Sequence, residues 1–314
     1  MSKNLDYEKV FETIVSDTIA YINRYNLHSM VLGISGGIDS TVVAAICREV
    51  SKNTGIPLIG RSLPIKNKSN EFDASKLIGE VFCNDFKCIP LQTSYIAVLN
   101  NLLFEEADDF VHTKNVSDAE YWVEDKQTPI ANGNIQARLR MIYLYNIAGI
   151  NKGIVMDTDN LTEHYLGFFT IHGDMGDFNP IGGLWKTEVY GLAKWLVEKY
   201  KSEAIINDAG GTSWCNKAVK ALEVSIGLTP TDGLGISNSD LDQIGAKSYE
   251  DVDTILKAIL FYNNCIFPEK RLLLLSILYK NYTKEVVGKI WNRYNNSDYK
   301  RKKLPIVIKR EAYE

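Results

Sequence analysis

Met30-Val31-Leu32-Gly33-Ile34-Ser35-Gly36-Gly37-Ile38-Asp39-Ser40-Thr41-Val42-Val43-Ala44-Ala45-Ile46 is the stretch that decides the fold. An apolar run stops at glycines and restarts as an apolar segment, a pattern that predicts strand, turn, helix. Two adjacent glycines let a backbone approach a ligand closely and adopt conformations barred to other residues. A phosphate chain sits best where several backbone N–H groups point at it and a helix N-terminus adds partial positive charge. Gly33, Ser35, Gly36, Gly37, Asp39 and Ser40 are therefore the candidate phosphate-binding residues, the two serines adding hydroxyl donors. Asp39 would repel phosphate unless a divalent cation lies between them, so its presence implies Mg²⁺. The stretch is not a Walker A element, because it lacks the GxxxxGK[ST] spacing and its lysine.

Working outward, strands and helices alternate. Residues 5–25 place Val10, Ile14, Ile19 and Ile22 at helical spacing, and Pro57-Leu58-Ile59-Gly60 opens a second strand. Glu71 to Phe82 reads as helix, Phe86 to Pro90 as strand, Ile96 to Leu103 and Asn134 to Ala148 as helices, and Gly153 to Met156 as a fourth strand. This order predicts an α/β fold, a doubly wound and mostly parallel sheet flanked by helices. Residues 104–130 read as an acidic insertion, 200–222 as a second insertion that includes a loop at 208–212, and the chain after about residue 250 as helical. One domain over residues 1–314 is expected. The closing Lys300-Arg301-Lys302-Lys303 reads either as a solvated end or as a ligand contact.

A hydrophobic content of 45% with 24% charged residues suits a chain that buries a core. A formal net charge of -4 argues against a protein built to neutralise nucleic-acid phosphates. Five cysteines without a CxxC pair argue against a disulfide framework or a zinc site and suit reduced thiols in the cytoplasm. Asp6, Glu8, Glu12 and Asp17 interrupt any secretory apolar core, and no apolar stretch is long enough to span a membrane.

The Ser35–Ser40 loop is similar to the SGGxDS pyrophosphate loop of PP-loop synthetases, which cleave ATP between its α and β phosphates. Its five fixed residue types arise by chance on the order of 10⁻⁶ per position. A second block sharpens the likeness. Val155-Met156-Asp157-Thr158-Asp159-Asn160-Leu161-Thr162-Glu163 continues through Gly167–Thr170 to Gly173–Pro180, with Asn134–Arg140 upstream and Trp185-Lys186-Thr187 downstream. In this order the blocks resemble the ammonia-dependent NAD synthetases from about residue 5 to 305, the two insertions excluded.

The resemblance implies ATP as co-substrate and Mg²⁺ held by Asp39 and Glu163. It implies phosphate contacts from Thr158 and Lys186, with Lys186 also neutralising the departing pyrophosphate. Asn160-x-x-Glu163 reads equally as a helix capping box, and the two roles are compatible. Asp174 occupies the position of an acid that holds ammonium and takes its proton, which makes it, with Lys186, the candidate catalytic pair. Asn134 and Arg138, one helical turn apart, face the dinucleotide in the family, although a polar stripe on an exposed helix gives the same spacing. Asp177, Tyr299 and Lys300 complete the implied substrate contacts, and Ser62 and Lys68 the implied ATP contacts.

Several positions depart from the family pattern. Asp157 replaces a glycine, Ser62 an arginine (Arg61 is adjacent), Lys68 a glutamine and Tyr299 a histidine, and the Gly173–Asp177 run is one residue short. The implied reaction is amidation of deamido-NAD by ammonia through an adenylated carboxylate, in a homodimer with substrate at the subunit interface. No nucleophilic-cysteine context lies near the N-terminus, so free ammonia or a separate donor is the expected nitrogen source. A thiolating or tRNA-modifying PP-loop enzyme would carry a basic face and cysteine pairs, and neither is visible. A catalytically silent nucleotide-binding homologue is the third reading; it would bind ATP without releasing pyrophosphate.

Overall fold

A computed structural model describes residues 5–65, 69–106, 129–207, 214–230 and 239–302, with only the backbone given at 69, 70, 103–106 and 207. Lys68, the loop at 208–212 and most of the acidic stretch 104–130 lie outside the described residues.

The first half is the expected α/β alternation. In chain order come α1 (Tyr7–Arg24), β1 (Met30–Gly33), α2 (Ile38–Thr54), β2 (Leu58–Ser62), α3 (Ser69–Phe82), β3 (Asp85–Cys88), α4 (Gln92–Glu106), α5 (Pro129–Ile150) and β4 (Ile154–Val155). All strand pairs are parallel and the sheet order is β3-β2-β1-β4. The chain therefore winds outward from β1 to β3 and then returns to lay β4 on the other side of β1. The crevice between the carboxyl ends of β1 and β4 is a topological switch point, the place where open α/β sheets bind ligands. Both predicted motif blocks leave the sheet there.

Side chains of a strand alternate between faces, and here each face has its own core. Met30, Leu32 and Leu58 pack with α1, α2 and α3 in one core, whereas Val31, Ile59 and Val155 pack with α4 and α5 in a second. The α2 helix is buried on every side from Ser40 to Cys47, so its β-branched Thr41, Val42 and Val43 remain helical because burial outweighs their weak helix propensity.

The second half is helical. It contains α6 (Leu161–Leu166), α7 (Lys186–Asn207), α8 (Trp214–Gly227), α9 (Asp240–Ile244), α10 (Tyr249–Asn264), α11 (Pro268–Asn281), α12 (Lys284–Asn296) and a short 3₁₀ turn (Asp298–Arg301). Where described, the stretch 200–222 lies in α7 and α8 and adds Tyr200, Ala218, Ala221 and Leu222 to the first core. A third core joins Leu166 and Trp185 to Val252, Ile255, Leu256 and Ile259 of α10 and to Leu278, Val287 and Ile290. Among the described residues no helix is long and apolar enough to cross a membrane.

Candidate active site

The glycine loop is made by close packing. The amide of Ile34 donates to the carbonyl of Arg61 at 2.8 Å, which ends β1, and the chain then turns through Gly36 at φ 96°. A Cβ at Gly36 would stand 2.8 Å from the Glu71 carbonyl oxygen and 3.2 Å from the Ser75 nitrogen, so both conformation and space demand glycine. Gly37 is the N-cap of α2 and has no side chain to cap with. The serines tie the turn together instead. Ser35 Oγ accepts from the Gly37 amide at 3.2 Å and lies 3.1 Å from Ser40 Oγ, which donates to the Gly37 carbonyl at 3.0 Å. A 17-residue helix thus points its positive end into the switch-point crevice.

The facing wall is made of carboxylates and one lysine. Asn160 is fully buried and caps α6. Its Oδ1 accepts from the Glu163 amide at 3.1 Å while Glu163 Oε2 accepts from the Asn160 amide at 3.2 Å, so the predicted capping box is present. The Nδ2 of Asn160 donates to Asp39 Oδ1 at 2.9 Å, joining the two motif blocks across 121 residues. Lys186, 2% exposed, donates from Nζ to Asp39 Oδ2 at 2.5 Å and to Glu163 Oε1 at 3.0 Å. One oxygen of Glu163 thus closes the capping box while the other accepts from the Lys186 ammonium.

Charge in the crevice is out of balance. Burial works against the Lys186 ammonium, but Asp39 and Glu163 outweigh it and hold its pKa well above the ordinary lysine value. Burial pushes Glu163 up to about 7 against the pull of Lys186, because one ammonium serves two carboxylates. Asp157, 5% exposed, is pushed up to about 6 by burial, opposed by amides that include that of Asp159 at 2.8 Å. Burial, together with the charges of Asp157, Asp174, Glu163 and Asp39, raises Asp159 well above the carboxylate range. Asp174 moves the same way on its buried side, while its outer edge reaches solvent. An unbalanced acidic crevice of this kind is suited to cations. No group of three or more Asp, Glu, His or Cys side chains able to hold a metal occurs among the described residues. The Asp39 and Glu163 carboxylates face each other across the Lys186 ammonium, their other oxygens taken by Asn160; two carboxylates suit a hard cation only with further oxygen ligands from elsewhere.

The other expected residues are distributed unevenly. Thr158 lies in the turn between Asp157 and Asp159, half-buried. Asn134 Oδ1 accepts from Thr170 Oγ1 at 2.7 Å, and the Thr170 amide donates to Asp174 Oδ1 at 2.6 Å, which docks the Asp174 loop on α5. Arg138 is exposed and donates to the Ile171 carbonyl at 3.2 Å. Asp177 binds the Tyr145 hydroxyl and the Val155 amide, bracing the end of β4. Lys300 Nζ donates to the carbonyls of Gly167 and Phe169 and is coupled by charge to Asp174, whereas Tyr299 is 56% exposed. The Ser62 hydroxyl is 2.8 Å from that of Ser75, while Arg61, on the opposite face of β2, is buried and bound to Asp85 at 2.7 Å. Arg61 therefore cannot stand in for an arginine at position 62. Asn160 as the bridge, Arg140 beside Asp174, and the Asp157–Asp159 pair were not singled out as functional from sequence. Only the acid spacing in Asp157-x-Asp159-x-x-x-Glu163 signalled any of them.

Residues 10–304 match the family model described as NAD synthase. The chain belongs to the NAD synthase family. Among curated NAD synthase relatives, one named NH(3)-dependent NAD(+) synthetase from Campylobacter jejuni subsp. doylei is 29% identical over 82% of this chain and 89% of its own. Two solved structures, each 23% identical, share the fold. An NMN synthetase from Francisella tularensis matches with a TM-score of 0.69 over 98% of this chain and 99% of its own. An NH3-dependent NAD synthetase from Campylobacter jejuni subsp. jejuni matches with a TM-score of 0.62 over 97% of this chain and 100% of its own. The NAD synthase assignment spans both motif blocks and the helical second half.

Proposed function

We propose that this chain is an ammonia-dependent ligase that converts deamido-NAD to NAD at the expense of ATP. The observation that carries the reading is the glycine-lined N-terminus of α2 facing Lys186, which Asp39 and Glu163 hold from either side. The α2 amides and the Ser35 and Ser40 hydroxyls bind the β and γ phosphates. A carboxylate oxygen of the nicotinate attacks the α-phosphorus, the bond to the β-phosphate breaks, and pyrophosphate leaves into the loop. Bound Mg²⁺, held by Asp39 and Glu163 with the phosphates, would neutralise charge on the triphosphate. Lys186 neutralises the charge that grows on the leaving oxygen.

Asp174 holds ammonium and accepts its proton. The nitrogen lone pair then attacks the acyl carbon, and the bond to AMP breaks. A carboxylate whose pKa is raised toward neutrality is a better base for that step than an ordinary one. Asn134, Arg138, Asp177, Tyr299 and Lys300 would contact the dinucleotide, and Thr158 and Ser62 the ATP. The exposed Ile142, Tyr145 and Ile150 on α5 support a homodimer built on that helix. We place the reaction in the cytoplasm, with ammonia free or handed over by a separate donor.

The test follows AMP, pyrophosphate and NAD formed from deamido-NAD, ATP, Mg²⁺ and NH₄⁺. Equal amounts of the three are expected. A parallel reaction with nicotinate mononucleotide sets the length of the acyl substrate. ATP binding without pyrophosphate release on either substrate would sink the assignment.

A further inference from the structure

Asp253 is a carboxylate on the apolar face of α10, 2% exposed, between Val252 and Ile255 of the third core. A buried carboxylate is costly unless its oxygens are fully hydrogen-bonded. Here they are, and the partners decide its meaning. Oδ1 accepts from Thr162 Oγ1 at 2.5 Å, and Oδ2 accepts from the Thr187 amide at 3.1 Å and from Thr187 Oγ1 at 2.7 Å. Thr162 Oγ1 in turn accepts from the Lys186 amide at 2.9 Å. The next N–H of this turn, Trp185, is taken by Glu188 Oε2 at 3.0 Å.

The start of α7 is thus capped from outside. Its first residue is Lys186, and two of its leading amides are held by side chains of α6 and α10. A carboxylate at a helix N-terminus is also favoured by the helix dipole. Thr162 directly precedes Glu163 in α6. One buried acid therefore sets the two elements that carry Glu163 and Lys186 by bonding Thr162 and Thr187 rather than either charged side chain.

We propose that Asp253 is a positioning residue, which through Thr162 and Thr187 fixes the spacing between the Glu163 carboxylate and the Lys186 ammonium. The inference rests on the functional reading above for its catalytic half. A cation acting on a leaving group must sit correctly to within a fraction of an ångström, and a displacement of about 1 Å costs on the order of 100-fold in rate.

The test uses the full chain. Asp253→Asn keeps the side chain's shape but offers a donor where only acceptors fit. Turnover per folded molecule should fall by roughly 10- to 100-fold, with KM for deamido-NAD changed less than about twofold. Hydrogen exchange at the Lys186 and Thr187 amides should speed up. Thr162→Val should repeat the effect at a second site, and Thr162→Ser, which keeps the hydroxyl, should restore turnover to near the wild-type value. If Asp253→Asn does not fold, the two Thr162 variants carry the test. A role confined to packing predicts equal behaviour of Thr162→Val and Thr162→Ser per folded molecule, and that result overturns the inference. So does unchanged turnover with unchanged amide exchange in Asp253→Asn. A wild-type chain that forms neither NAD nor pyrophosphate refutes the functional reading instead, and the catalytic half of this one with it.

Discussion

The two walls of the crevice are built by opposite means. The β1–α2 wall is contiguous in sequence, made mostly of backbone, and closed by short serine contacts within six residues. The β4 wall draws side chains from α2, α6, α7 and α10, holds buried charge, and is joined by bonds spanning 121 and 147 residues. The first wall works by shape and donor direction, the second by charge balance. Substitutions should therefore fail differently on the two sides.

The largest effect is expected at Gly36. An added Cβ meets the Glu71 carbonyl oxygen of α3 at 2.8 Å, and φ of 96° is unfavourable for alanine. Gly36→Ala should cost roughly 2–4 kcal/mol in unfolding experiments. Turnover should fall at least about 100-fold, because misdirected amides no longer meet the phosphates. A Gly36→Ala protein with near-normal activity would mean that the backbone nest is not the phosphate site.

On the opposite wall, Lys186→Met leaves Asp39 and Glu163 without their shared cation. The loss of stability should be roughly 3 kcal/mol, since truncating one member of a buried charge set strands the rest. Here the defect is one of charge, so a divalent cation should repair it. Added Mg²⁺ should raise the melting temperature of Lys186→Met more than that of the wild type, while Gly36→Ala should show no such rescue. Equal responses to Mg²⁺ would erase the contrast between the walls.

This division also explains what could be read in advance. Ser35–Ser40 was legible because its entire device lies in one stretch flanked by a strand and a helix. The α/β order and the sheet followed from apolar alternation, and the capping box at Asn160 from its three-residue spacing. Asp253 was not legible, since its partners lie 66 and 91 residues away and nothing about an acid in an amphipathic helix announces burial. The Arg61–Ser62 ambiguity was a matter of strand register: one residue of shift moves a side chain to the other face, where Asp85 holds Arg61. Asp157, read as a departure from a glycine, closes its own turn by accepting the Asp159 amide, a role that needs no ligand.

A pH titration gives a smaller effect that separates stability from activity. Folding raises Asp157 to about 6 and Glu163 to about 7, above the ordinary carboxylate range. Below that range both states are protonated and the full stabilising contribution is present. It is lost progressively as pH rises from the ordinary carboxylate range to about 6 for Asp157 and about 7 for Glu163, because over that interval the native state binds protons that the unfolded chain has released. The melting temperature without Mg²⁺ should therefore decline over that interval. Turnover should rise over the same interval as Asp174 loses its proton. A melting temperature that climbed with pH there would contradict a charge-loaded wall.

The mildest change is expected at Tyr299, 56% exposed on the 3₁₀ turn beside Lys300. Lys300 is structurally engaged, its ammonium bound to the carbonyls of Gly167 and Phe169, so its replacement disturbs the loop that carries Asp174. Tyr299 has no such duty. Tyr299→Ala should change stability by less than about 0.5 kcal/mol, as exposed substitutions away from special features do. If the tyrosine meets the substrate as proposed, KM for deamido-NAD should rise severalfold while KM for ATP and turnover at saturation hold. A variant with unaltered KM values would remove Tyr299 from the substrate contacts and leave the dinucleotide to α5 and Lys300.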